Sequence, residues 1–201
     1  MHNFHKERTL VVIKPDGVQR SLIGEIIKRF ERSGLKLIGL KFIVPSAEFI
    51  EAHYTLDKNW LVNVGNKSIQ GLKDKGIVPS TEDPETAGRK VLDTLKKYMV
   101  SGPVVVMAWQ GANAVKIVRK IVGNTEPLAS DVGTIRGDFV LDSYNFADAD
   151  ARSVRNLVHA SGSVEEADME LGHWFKEGEL VNYRLVQEQI LYDVNLDGIL
   201  E

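Results

Sequence analysis

The chain has no cysteine. A disulfide framework, a thiolate metal site and a cysteine nucleophile are therefore excluded. Basic charge is in short supply as well. Lys and Arg number 25 against 28 Asp and Glu, a net charge of −3, so no global positive field is available to hold nucleic acid. No apolar run approaches the ~20 residues that cross a bilayer, and the polar start has no long apolar core of the secretory kind. A cytoplasmic location and no membrane partner are the expectation. Low-complexity and repeated segments are also missing. What remains is ordinary for a folded protein: 201 residues, 43% hydrophobic and 26% charged, which argues against disorder. A chain of this length buries a core without staples, and one domain over residues 1–201 is the simplest organisation.

Thr9-Leu10-Val11-Val12-Ile13 is a β-branched apolar run that fits a buried strand, closed by the turn chemistry of Lys14-Pro15-Asp16-Gly17. Ile23, Ile26, Ile27 and Phe30 follow at helical spacing, with Gly34 as the stop. Residues 35–44 read as a second strand, and Ser46 caps a short helix toward Tyr54. Periodicity is poor over residues 57–83. Asp83-Pro84 then opens a helix, Val104-Val105-Val106-Met107-Ala108-Trp109 a central strand, and Ala114, Val115, Val118 and Ile121 a further helix ended by Gly123. Asp138-Phe139-Val140-Leu141 is expected to be a strand and residues 142–151 a loop. Ser163-Val164-Glu165-Glu166 has the form of a capping box, opening a helix that buries Val164, Ala167, Leu171, Trp174 and Phe175. The order predicts an α+β class: a ferredoxin-like βαββαβ antiparallel sheet with helices packed on one face, plus a helical insert.

Three segments hold polar groups where packing alone would not ask for them. They are Ile13-Lys14-Pro15-Asp16-Gly17, Gly133-Thr134-Ile135-Arg136-Gly137-Asp138 and Arg155-Asn156-Leu157-Val158-His159-Ala160-Ser161-Gly162-Ser163. Arg119 on a helix and Thr125 after it add to them. Arginine forks, a lysine point charge and hydroxyl donors at element ends suit a polyphosphate. A neutral imidazole is a nucleophile toward phosphorus, so His159 is the candidate for a covalent step. His2, His5, His53 and His173 read as exposed or hydrogen-bonded bystanders.

Val12-Ile13-Lys14-Pro15-Asp16-Gly17-Val18-Gln19-Arg20 resembles the first motif of the nucleoside diphosphate kinases. Ser101-Gly102-Pro103-Val104-Val105, Gly133-Thr134-Ile135-Arg136-Gly137-Asp138-Phe139 and Arg155-Asn156-Leu157-Val158-His159-Ala160-Ser161 resemble three others in the family's order. Trp174-Phe175 and Glu179-Leu180-Val181 resemble its C-terminal pattern. The resemblance implies a ping-pong transfer of the γ-phosphoryl from ATP or another NTP to an NDP, with low base selectivity. It implies His159 as the phosphorylated nucleophile, oriented by Glu170 with Ser161 behind it. Lys14 would meet phosphate and ribose, Asn156 the ribose, and Arg119, Thr125 and Arg136 the phosphates, with Tyr54 lining the site. Mg²⁺ would arrive on the nucleotide, with no protein ligand of its own. A homo-oligomer, a hexamer built from dimers, is also implied.

Departures from the pattern are local. Gly162 stands where Asp is common. An insertion over residues 57–94 falls where the family keeps its nucleotide clamp and base-stacking aromatic, and Trp60 is the candidate replacement. A smaller insertion spans 142–151, and 184–201 is a tail. A rival reading is a family-shaped protein whose insert has closed the site, leaving a binding module. Asp193-Val194-Asn195-Leu196-Asp197-Gly198 opens like a calcium loop, but the twelfth ligand falls past Glu201, so it reads as a polar tail. The lysines of 67–75 and 96–97 read as solvated faces, and a nucleic-acid partner is not expected.

Overall fold

The computed structural model describes residues 6–192. Strand β1, Arg8–Ile13, is buried from Thr9 onward. Its side chains alternate between two separate cores. Val11 and Ile13 join one, and Leu10 and Val12 join the other. That two-sided burial is why the run is apolar throughout and does not alternate with polar residues.

The elements then follow as α1 (Pro15–Gln19), α2 (Ile23–Arg32), β2 (Lys36–Ile43), α3 (Ala47–Tyr54), α4 (Trp60–Asp74), α5 (Pro84–Met99), β3 (Val104–Gln110) and α6 (Ala114–Val122). A 3-10 turn at Pro127–Ala129 leads to α7 (Ile135–Phe139), α8 (Tyr144–Ala149), β4 (Val158–Ala160), α9 (Val164–Trp174) and α10 (Glu188–Tyr192). The sheet order is β2-β3-β1-β4 with every neighbouring pair antiparallel. This is the expected ferredoxin-like plan.

Several local expectations are corrected. Helices cover both faces of the sheet. Ile26, Phe30, Ala114 and Val118 of α2 and α6 lie on one, and Ile50, Leu92 and Leu171 of α3, α5 and α9 on the other. The fourth strand is β4. Residues 138–141 are no strand, because the Thr134 hydroxyl accepts from the Gly137 N–H and starts α7 there. The expected loop at 142–151 contains α8, capped by Ser143, whose hydroxyl accepts from the Phe146 N–H. Lys14-Pro15-Asp16-Gly17 is the first turn of α1 with Pro15 at its start. Ser163 does accept from the Glu166 N–H, but the Glu166 carboxylate takes the Gly162 N–H, one residue earlier than a capping box requires. Val164 is exposed. The calcium-like segment, His2 and His5 lie outside the described residues.

Residues 57–83 looked aperiodic because α4 buries only a narrow stripe, Gly65 and Ile69, against α5. The two helices approach until side chains are excluded between them. A Cβ on Gly65 would fall 1.8 Å from the Pro84 carbonyl oxygen, and one on Gly88 would fall 2.1 Å from that of Leu61. A Gly88→Ala substitution is therefore expected to pry the hairpin apart and cost about 1–3 kcal/mol in thermal unfolding. An unchanged melting temperature would show that the helices separate freely. Three of the clustered lysines here are paired. Lys73 meets Glu82 and Lys75 meets Asp148, while Lys96 meets Glu51 and Asp93.

The C-terminal segment closes over β2. The Val181 N–H donates to the Ile38 carbonyl, Tyr183 Oη to the Leu37 carbonyl, and Lys36 pairs with Glu188 at 2.7 Å.

Candidate active site

Antiparallel pairing puts His159 of β4 opposite Val12, so the residue after β1, Lys14, enters the same region as His159. The approach to β4 is strained. Leu157 has φ +63°, and the Val158 N–H bonds back to the Asn156 carbonyl at 2.7 Å, a γ-turn. It is held in place because the Lys14 N–H donates to the Leu157 carbonyl, while the Leu157 N–H donates to Asp16 Oδ2 at 3.3 Å. The strain thus sits two residues before His159 and fixes where β4 starts.

His159 Nε2 lies 2.7 Å from Glu170 Oε1, delivered by α9. Ser161 Oγ donates to the other oxygen, Oε2, at 2.6 Å, and itself accepts from the Leu10 N–H. Glu170 is almost wholly buried. Burial alone would raise its pKa. The charge and hydrogen bond of His159, the nearby His53 and the Ser161 hydroxyl outweigh that, and hold it below the usual range. An ionised carboxylate only accepts, so His159 carries a proton on Nε2, and the neutral ring has its lone pair on Nδ1. The histidine side chain remains 16% exposed, which leaves an edge open to a reactant.

Lys14 is buried, and its ammonium donates to Asn156 Oδ1 at 2.8 Å. Asn156 Nδ2 in turn donates to the Thr125 carbonyl. Burial, then Arg136 nearby, pushes the Lys14 pKa down to about 7, with Asp16 pulling the other way. Arg136 is buried too and donates to four main-chain carbonyls, those of Gly123, Asn124, Asn156 and Val158. Its pKa falls to about 10, first through burial and then through Arg119. Asp138 is not its partner. It pairs with Arg29 at 2.7 Å. Arg119 and Thr125 are exposed at the rim, and among the described residues no carboxylate pairs with Arg119.

Tyr54 lies with its ring 6.5 Å from that of His159, and burial followed by the Glu170 charge keeps its phenol neutral. Trp60 packs its ring on Tyr54 at 5.1 Å, partly buried against the core on that side. Gly162 offers its N–H to Glu166, and a side chain here would meet only that flexible carboxylate.

Two groups here escaped the sequence reading. Tyr98 follows Val91, Leu92 and Leu95 at helical spacing and so reads as part of an apolar face, yet its Oη donates to Asp16 Oδ1 at 2.5 Å and its ring lies 5.2 Å from the Lys14 ammonium. Burial and Asp16 keep that phenol protonated. His53 was set aside as a bystander, yet it is buried with its ring 4.8 Å from that of His159. Its position one turn along α3 from Phe49, four residues ahead of it, was the available sign that it faces inward.

Comparison with known proteins identifies the family. The family model for nucleoside diphosphate kinase matches residues 7–61 and 84–180. Between these two stretches it leaves out 62–83, nearly all of α4 and the loop to α5, and it runs through 142–151 without a gap. A nucleoside diphosphate kinase of Pyrobaculum aerophilum is 47% identical over 87% of this chain and 98% of its own length. Nucleoside diphosphate kinase A of Homo sapiens is 42% identical over 93% of this chain and 97% of its own. A solved NDP kinase from Pyrobaculum aerophilum superposes with a TM-score of 0.85 at 45% identity, covering 88% of this chain and 100% of that one. A Borrelia burgdorferi nucleoside-diphosphate kinase, described as a transition state mimic with bound vanadate and ADP, superposes at 0.77 with 30% identity, covering 94% of this chain and 98% of that one. With sheet topology, ordered motifs and full-length relatives in agreement, the chain belongs to the nucleoside diphosphate kinase family.

Proposed function

We propose that His159 carries the phosphoryl group in the nucleoside diphosphate kinase reaction of this chain. The observation that carries the proposal is the 2.7 Å contact between His159 Nε2 and Glu170 Oε1, which leaves the Nδ1 lone pair as the nucleophile. Nδ1 attacks the γ-phosphorus of an NTP, the bond to the β,γ-bridging oxygen breaks, and an NDP leaves. A terminal phosphate oxygen of a second NDP then takes the phosphoryl from Nδ1, and the ring returns to its first state. Glu170 stabilises the charge that develops on the ring, with Ser161 holding Glu170.

Lys14, Arg119, Thr125 and Arg136 hold the phosphates, Asn156 with Lys14 holds the ribose, and Tyr54 walls the histidine. Trp60 is proposed to flank the base, the ring available on the hairpin side. Mg²⁺ comes as part of the nucleotide. Asp16, the acid nearest Lys14, is already engaged by Tyr98 and the Leu157 N–H, so the phosphate oxygens supply the ligands. A single domain, a cytoplasmic location and a homo-oligomer built from dimers complete the reading, the last checked by mass in solution.

Incubation with γ-labelled ATP tests the mechanism. The label is expected on the protein as an acid-labile, base-stable phosphoramidate, and to leave when NDP is added. Label that resists acid would overturn it.

The lowered Lys14 pKa adds a pH dependence. The free enzyme holds Lys14 partly neutral near pH 7, and a bound polyphosphate favours the charged form. Binding therefore takes up a proton above pH 7 and almost none well below it, so affinity falls as pH rises. Titration calorimetry at about pH 8 in buffers of different ionisation enthalpy should show uptake approaching one proton, abolished in Lys14→Met. Equal uptake in the variant would assign the proton elsewhere.

A further inference from the structure

We infer that His53 is a positioning residue for the transfer: its Nε2–H faces Glu170 and keeps that carboxylate ionised and the His159 proton on Nε2. The inference rests on the proposed role of His159.

The starting point is a hydrogen bond. Trp174 Nε1 lies 3.1 Å from His53 Nδ1. An indole nitrogen only donates, so His53 Nδ1 must be the acceptor. A neutral imidazole with Nδ1 accepting has its proton on Nε2. That nitrogen lies 3.7 Å from Glu170 Oε1, the same oxygen that His159 Nε2 meets at 2.7 Å. The distance is longer than a hydrogen bond, so the interaction is one of oriented charge and dipole. It acts where solvent is absent, since the His53 side chain is 1% exposed and that of Glu170 4%.

The balance of what surrounds His53 keeps it neutral. Burial comes first, then His159 on β4. His173 on α9 and Lys14 beyond β1 act in the same direction, Glu170 opposes them, and the pKa falls to about 3. Tyr54, its neighbour on α3, is also held neutral. The ring therefore stays a fixed Nε2–H donor at working pH and does not titrate.

A metal site is the competing use of this cluster. His53 Nε2, His159 Nε2 and Glu170 Oε1 lie within 4.8 Å of one another. A metal on His53 Nε2 would drive the proton to Nδ1, against the Trp174 N–H. The indole bond thus selects the donor role.

Single-turnover phosphorylation by ATP tests the inference in three forms of the full chain. His53→Phe keeps a ring and removes the donor. The phosphorylation rate should fall roughly tenfold, the scale of one lost polar partner, with ATP KM unchanged. The acid limb of the pH profile should move to higher pH, because Glu170 loses a neighbour that favours its charged form. His53→Gln returns an N–H near the Nε2 position and should recover most of the rate and the original limb. Wild-type rate and limb in His53→Phe, or a Gln variant as slow as Phe, would overturn the inference. ¹⁵N NMR of the unsubstituted protein gives an independent arm. His53 should carry its proton on Nε2 across neutral pH, the neutral form of His159 should be the Nε2–H tautomer, and a proton on Nδ1 of His53 would overturn it. Failure here leaves the phosphohistidine intact, whereas label persisting in His159→Ala removes the mechanism itself.

Discussion

Replacing His159 by alanine is expected to lower kcat/KM by about 10⁴-fold or more, with nucleotide affinity nearly unchanged. The two parts of that result have separate causes. The reaction divides one phosphoryl transfer into two steps through a covalent carrier, and in the proposed mechanism that carrier is one nitrogen, Nδ1 of His159. No other side chain of the site offers a comparable nucleophile. Tyr54 and Tyr98 are kept protonated by burial and nearby acids, and Lys14 is tied to Asn156. The groups that would hold phosphate and ribose, namely Lys14, Arg119, Arg136 and Asn156, make no hydrogen bond to the imidazole, so binding survives its loss. Glu170→Gln makes the contrast. It keeps the shape and removes the charge, and should cost roughly 10²-fold, on the scale of a charge-stabilising partner. Steady-state rates with several NDP acceptors, together with calorimetric ADP binding, would check this. An alanine variant keeping more than a few per cent of activity, or one that loses ADP binding as well, would remove His159 from its role.

The legible parts of the fold are those where one residue's local chemistry decides the outcome. Asp83-Pro84, Ser46 and Ser163 start their helices, and Gly34 and Gly123 end theirs at φ +87° and +89°. The strand β1 announced itself because both of its faces are buried. The failures lie where a neighbour decides. Helix α4 has little periodicity of its own, since its buried stripe is glycine pressed onto the backbone of α5. Strand β4 is three residues long and is recognisable only by its pairing with β1. Phe139 and Val140 read as a strand because they are apolar, though the hydroxyl of Thr134 had already committed the backbone to α7. The same division holds for the site. The polar residues at element ends stood out from their sequence surroundings. His53 and Tyr98 did not, because each lies on an otherwise apolar helix face and its function comes from what the fold places opposite it: Trp174 and Glu170 for the one, Asp16 and Lys14 for the other.

Arg136→Met is expected to be the most destabilising single substitution in the site, by about 3–5 kcal/mol, the upper range for a point substitution that breaks a buried hydrogen-bond network. The guanidinium is a node tying three stretches of chain. It binds the carbonyls of Gly123 and Asn124 after α6, of Asn156 before the strained turn at Leu157, and of Val158 next to His159. Methionine fills the volume and offers no donor, taking this partner from the buried Asn156 and Val158 carbonyls at about 1–3 kcal/mol each before relaxation. For a chain of this size the melting temperature should drop by roughly 10 °C. Arg136→Lys decides between two readings of the residue. If it were only a phosphate-binding charge, lysine would restore nucleotide affinity, and Met would lower affinity without lowering the melting temperature. As a node it needs the planar fork, which an ammonium with three donors on one nitrogen cannot reproduce. Lysine should then recover less than half of the lost stability. Its kcat should fall along with nucleotide affinity, because the segments carrying Thr125, Asn156 and His159 lose a common anchor. Thermal unfolding and steady-state kinetics on the two variants separate the outcomes. A Met variant that melts with the unsubstituted protein would return Arg136 to a purely electrostatic role.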